Sequence, residues 1–230
     1  MNDPHLNLIQ LHISIRDIEV PQRMRDLPLS KRGFPVPRFV QWVDGEPEFR
    51  IMDHGFLVSC LREGRCWICG DKLGAYRTYV AGPMCGVNRT SGEPPSHREC
   101  AIYAAKACPF LARPHARRRD AGLPEEVEVL AGKGIMRNPG VAMLWTTKGT
   151  KTKPDGQGGL LFDIGDPTEV LWIAHGREAT RAEVMESIRT GLPILERAAE
   201  EGGPSDVRAL KRMLDHFTRY VPNEVEEGQQ

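Results

Sequence analysis

No stretch of the 230-residue chain approaches the roughly 18 consecutive apolar residues of a membrane-spanning helix. Residues 1–16 carry Asp3, His5, Gln10 and His12 among the apolar positions, unlike a secretory signal, so a cytoplasmic protein is expected. There is no Walker loop, no GxGxxG ahead of a helix and no GxSxG, which removes the common phosphate-cradling and nucleophile-elbow enzymes. Internal repeats are missing as well. Cysteine is absent outside residues 60–108, and histidine is absent between Cys69 and Ser96. What remains, 40% hydrophobic and 27% charged, is the composition of a globular chain rather than a disordered or collagen-like one. Its length suits one large domain or two small ones.

Net charge is also lacking, but the zero conceals unlike parts. Residues 60–120 hold 11 basic and 5 acidic side chains, a balance of +6, whereas residues 161–230 hold 8 and 14, a balance of −6. The positive block can face a polyanion; the negative block can pack against it or remain a solvated surface.

Residues 8–15, LIQLHISI, alternate so that Ile9, Leu11, Ile13 and Ile15 share one face of an expected strand. Residues 21–37, with four prolines, read as an extended loop. Residues 39–43 and 49–52 flank Asp44-Gly45, a hairpin signal, and residues 55–62 are expected to continue that sheet. Strands are expected at 141–147, 160–164 and 170–174, with a polar loop over 148–159. Thr180 and Glu183 fit a capping box opening a helix over 180–190, with Val184 and Ile188 on its buried face. Gly191-Leu192-Pro193 should break that helix. A last helix over 204–220 places Val207, Leu210, Leu214 and Phe217 at helical spacing.

The strongest signal is Cys66-Trp67-Ile68-Cys69-Gly70, followed by His97-Arg98-Glu99-Cys100. Zinc takes four soft or borderline donors at tetrahedral corners, and a CxxC knuckle supplies two thiolates from one tight turn. Gly70 lets the backbone turn back after it. Pro94-Pro95 blocks an earlier helix start, and Ser96 with Glu99 fits a second capping box, so a helix is expected from His97. His97 and Cys100 then share one face of its first turn. The expected cofactor is one zinc ion on Cys66, Cys69, His97 and Cys100. Cys85 is the rival to His97; a Cys66, Cys69, Cys85 and Cys100 set would make an iron–sulfur cluster possible. Cys60 reads as a core residue. Cys108, eight residues beyond Cys100, lies too far along the helix to share an ion.

This arrangement resembles a treble-clef zinc finger over about residues 64–108, with residues 76–80 as the first hairpin strand and 81–83 as its turn. Through CWICGDKLG, GPMCGVNRTSGEPPSHREC and the following CPFL, the whole chain also resembles a group of bacterial and phage proteins. That resemblance implies a bacterial or phage source and brings no mechanism.

Two enzyme families share parts of this pattern. Zinc nucleobase deaminases place HxE before PCxxC; here CxxC comes first, no proline precedes Cys66, and four protein ligands leave no water position. An HNH-type nuclease needs a general-base histidine on its hairpin, where this chain has none, but it stands as the alternative function. Binding is better supported. Arg113, Arg117, Arg118 and Arg119 follow the ligand helix and are the candidate nucleic-acid contacts, with Trp67, Tyr76, Tyr79 and Tyr103 as candidate stacking rings. A protein partner is the competing expectation.

The expected fold is therefore α+β, with small antiparallel sheets, an inserted treble-clef-like zinc module and a C-terminal helical region. The segments read as a β-rich stretch over 1–59, the zinc module over 60–112, a basic Pro/Gly linker over 113–140, strands then helices over 141–221, and an acidic tail over 222–230.

Overall fold

Turn chemistry sets the first regular element. Strand β1 (Val40–Val43) pairs antiparallel with β2 (Glu46–Met52), and Asp44 (φ 50°) and Gly45 (φ 78°) take the two left-handed positions of the connecting turn. The computed structural model describes residues 10–111, 138–155 and 159–224. Residues 55–62 do not continue this sheet. They lie in helix α1 (His54–Glu63), started by the Asp53 carboxylate accepting from the Phe56 N–H at 2.9 Å and stopped by left-handed Gly64.

The strand expected over 8–15 is also absent from its described part. Ile13–Ile15 is a 3-10 turn, fixed by the His12 ring accepting from the Ser14 N–H. Only Leu11 and Ile15 are buried, while Ile13 faces solvent. A local side-chain bond outcompetes a strand that has no neighbour to pair with.

The centre of the molecule is the sheet β3-β5-β8-β9, antiparallel throughout, formed by β3 (Arg77–Ala81), β5 (Ala142–Thr147), β8 (Pro167–Ala174) and β9 (Arg177–Glu178). Every residue of β5 is buried, because both faces of the sheet are covered. One face gives Met143, Trp145, Trp172 and Ala174 to the largest core cluster, together with Val184, Ile188 and Phe217. The other gives Ala142, Leu144 and Ile173 to Ala101 and Ala105. A second sheet, β4-β7-β6, joins β4 (Thr90–Ser91), β7 (Leu160–Ile164) and β6 (Thr150–Pro154). Thus β6 occupies much of the expected polar loop: Lys151, Thr152 and Lys153 all face solvent, and the strand is held by backbone pairing with β7, Thr152 lying opposite buried Phe162.

Helix α2 (Pro83–Asn88) follows β3 directly, so β3 finds its partner in β5 and the local hairpin turn expected over 81–83 does not form. Gly86 is required here: a Cβ would stand 2.4 Å from the Phe217 ring and 2.8 Å from Met143 Sδ.

The C-terminal helices are α4 (Arg181–Gly202) and α5 (Pro204–Phe217). The Thr180–Glu183 capping box is present in full. Pro193 does not break α4; it lies inside it. An interior proline costs about 3 kcal/mol, but Val184 and Ile188 before it and Leu195 after it all pack on the main core, which offsets that cost. On α5 Phe217 is fully buried and Leu210 and Leu214 pack at the edge of the core, whereas Val207 is exposed. The architecture is α+β, with the Cys/His cluster in the segment between the β1–β2 hairpin and β5. Among the described residues no helix is long and apolar enough to cross a membrane.

Candidate metal centre

The site is assembled from two local structures. The first is the knuckle, where Gly70 N–H donates to Cys66 O at 2.9 Å and Cys66 N–H donates to Asp71 O at 2.7 Å. Gly70 takes φ 86°, as the chain must to reverse there. The second is helix α3 (Arg98–Ala107), whose cap residue is His97. It starts one residue later than expected, and the Ser96–Glu99 capping box does not form. Buried Ser96 is tied to Thr78 by two backbone hydrogen bonds of 2.8 and 2.9 Å, and Glu99 turns outward to Arg23. Backbone pairing on one side and an ion pair on the other replace the reciprocal cap.

These structures bring Cys66, Cys69, His97 and Cys100 together, with all four donor atoms within 4.8 Å of one another. Cys69 Sγ is 3.4 Å from His97 Nδ1. A tetrahedral ion with bonds of about 2.3 Å to sulfur and 2.0–2.1 Å to nitrogen has ligand edges of about 3.5–3.8 Å, so the set fits such an ion. The three cysteines are buried and His97 forms the rim. His97 Nε2 lies 3.2 Å from Lys72 O, so an Nε2–H donated there leaves Nδ1 as the ring's lone pair toward the sulfurs. The backbone N–H groups of Cys69 and His97 point at Cys66 Sγ from 3.5 and 3.4 Å.

Hydrogen bonds from Cys100, then Cys69 and His97, drive the Cys66 thiol far below its ordinary pKa. Cys100, facing Cys66 and Cys69, is driven up, and His97 is pushed up to about 10 by Cys66 and Cys69. The three sulfurs and the ring thus share protons that a bound cation would displace, because a metal takes thiolates and a neutral imidazole. Cys85 is not in the cluster; burial pushes its thiol up to about 11. Cys60 is buried in α1 and raised to about 12 by desolvation, and Cys108 caps the far end of α3.

The cover over the site is the part that residue patterns missed. Leu11, Ile15, Val20, Met24 and Leu27, from a segment with little regular structure, form one core cluster with Cys66, Ile68, Cys69, Cys100 and Tyr103. The alternation over 8–15 put Leu11 and Ile15 on one face of an expected strand, but no pattern tied them, or Val20, Met24 and Leu27, to the knuckle. Helix α3 therefore has two working faces: Cys100, Tyr103 and Ala107 toward the metal side, Ala101 and Ala105 toward the sheet.

Beside His97 runs an open groove of about 860 Å³ between the loop over residues 72–76, the start of α3 and the strand ends at Thr146 of β5 and Thr168 of β8. Of the four candidate stacking rings, Trp67, Tyr79 and Tyr103 are buried, and Tyr76 alone is exposed, at 54%. Trp67 is spent in a stack with Phe39 and Phe56. Arg113, Arg117, Arg118 and Arg119 lie outside the described residues. The basic and acidic blocks do meet, at Arg89–Asp166 (3.1 Å) and Arg98–Glu169 (2.6 Å). No family model, curated protein or solved structure matches the chain.

Proposed function

We propose that this is a metal-stabilised binding protein, in which zinc on Cys66, Cys69, His97 and Cys100 locks the knuckle and its cover to α3, and nucleic acid is the partner. The buried Cys3His cluster carries the reading. Four ligands from the chain complete a closed, structural kind of site. Free cysteines throughout support a reducing, cytoplasmic setting. The +6 balance of residues 60–120 supports a polyanionic partner. Of the histidines among the described residues, only His97 lines the groove beside the cluster, which favours binding over the nuclease alternative.

A protein partner is the second reading, favoured by Trp42 and Phe49, both 45% exposed on the β1–β2 hairpin. Elemental analysis should find one zinc per chain. Titration of labelled single- and double-stranded DNA and RNA at low salt should show binding that weakens steeply with salt. Replacing Arg117, Arg118 and Arg119 by alanine should flatten the log–log salt slope by about 2 to 3 units and leave zinc unchanged. Absence of binding to all four nucleic acids removes that partner and leaves the hairpin surface.

A further inference from the structure

We propose that the groove beside His97 takes a single-stranded nucleic acid, with Tyr76 as the platform for one base and Lys72 and Lys148 as its phosphate contacts. This rests on the nucleic-acid reading above and assigns it a surface and a strand state.

Tyr76 projects from the loop before β3, half exposed, on the wall of the groove. Lys148, in the turn between β5 and β6, holds its ammonium 4.8 Å from the ring centroid. A cation on one face orders the ring and leaves the opposite face as a flat, preset surface. Lys72 lies on the same loop. Neither lysine makes an ion pair among the described residues. On the other side of the groove the cations are committed: Arg23 to Asp71 and Glu99, Arg98 to Glu169. Lys72 thus lines the groove and Lys148 stands beside it on the Tyr76 ring, so the lysine charge outside ion pairs gathers around that ring.

That pairing selects the ligand. An acidic peptide would satisfy the lysines and leave the ring in water. A base with its phosphate satisfies ring and lysines together, and the base must be unstacked from its neighbours to lie on the tyrosine, which duplex does not offer.

The test uses the full chain with labelled oligothymidylate, oligouridylate and a DNA duplex. Single strands should bind more tightly than duplex at low salt. Tyr76→Ala should weaken single-strand binding at least about fivefold, Tyr76→Phe should retain it, and Lys72→Ala with Lys148→Ala should reduce the salt slope by about 1.4. Zinc content should hold in every variant. Parent-like binding by Tyr76→Ala, or preference for duplex, overturns the groove. If binding is lost only on replacing Arg117, Arg118 and Arg119, the nucleic-acid reading stands and the groove falls. If no nucleic acid binds at all, both fall and a protein partner takes their place.

Discussion

Cys100→Ser separates the metal centre from the rest of the molecule, because Cys100 lies on the face of α3 that looks away from the sheet. The change removes one of four donors and leaves a buried hydroxyl among thiols. Structural zinc binding is worth about 10–16 kcal/mol in small modules, as much as the whole stability of a typical domain, about 5–15 kcal/mol. The cover over residues 11–27 has no sheet of its own to fall back on, so it should open with the site. The central sheet keeps its own support: Trp145, Trp172 and Phe217 on one side and the alanines of α3 on the other. We expect zinc to fall from about one per chain to near zero. Hydrogen exchange should show early loss at His12, Cys66 and Leu73, whose amides donate to Gly33, Asp71 and Gly64, while the β3–β5–β8 amides stay protected. Cys85→Ser and Cys108→Ser should keep the metal. Full zinc in Cys100→Ser, or uniform loss of protection through the sheet, would refute the reasoning.

Phe217→Ala should cost about 3–5 kcal/mol. The ring is fully buried, with centroids 6.5 Å from Trp145 and 6.0 Å from Trp172. At about 2–4 °C per kcal/mol the melting temperature should fall by about 6–20 °C; a variant melting with the parent shows the core is elsewhere. Glu183 is held down to about pKa 2 by hydrogen bonds from Arg177, aided by the Thr180 N–H and hydroxyl. Its folded pKa lies below the unfolded one, so its contribution is complete above about pH 4.5 and is lost as pH falls toward 2. The pair is exposed enough to limit this to about 0.5–1 kcal/mol. The gap in melting temperature between parent and Glu183→Gln should close over that window, and a gap independent of pH would show the charge plays no part.

The four clustered residues were legible because each chelating pair is local: CxxC spans one knuckle and HxxC one helical turn. Hairpin β1–β2 was legible through Asp44-Gly45, and β5 through its unbroken apolar run. The failures share a physical cause, in that the deciding partner was distant or the deciding cap was weakly marked. Helix α1 rests on Asp53 and Gly64, which are common loop residues. Thr152 looks like loop until Phe162 is known to lie across from it. Ser96 forsakes its expected cap because Thr78 offers two backbone bonds. Pro193 stays within α4 through packing that no local pattern records.

The position of β5 sets an order of events on the ribosome. Strand β3 ends at Ala81, and its partner β5 begins only at Ala142. The four metal donors, the knuckle and the covering segment are all synthesised before that partner exists. The nascent chain therefore reaches a state in which metal can close the N-terminal cluster while β3 and the alanine face of α3 still await the sheet. On the proposed metal reading, capture of an ion early in synthesis would anchor α3 at Cys100 before β5 emerges to meet Ala101 and Ala105. Without the ion, the chain would bring β3 and β5 together across the intervening residues with no such anchor, at a greater entropic cost.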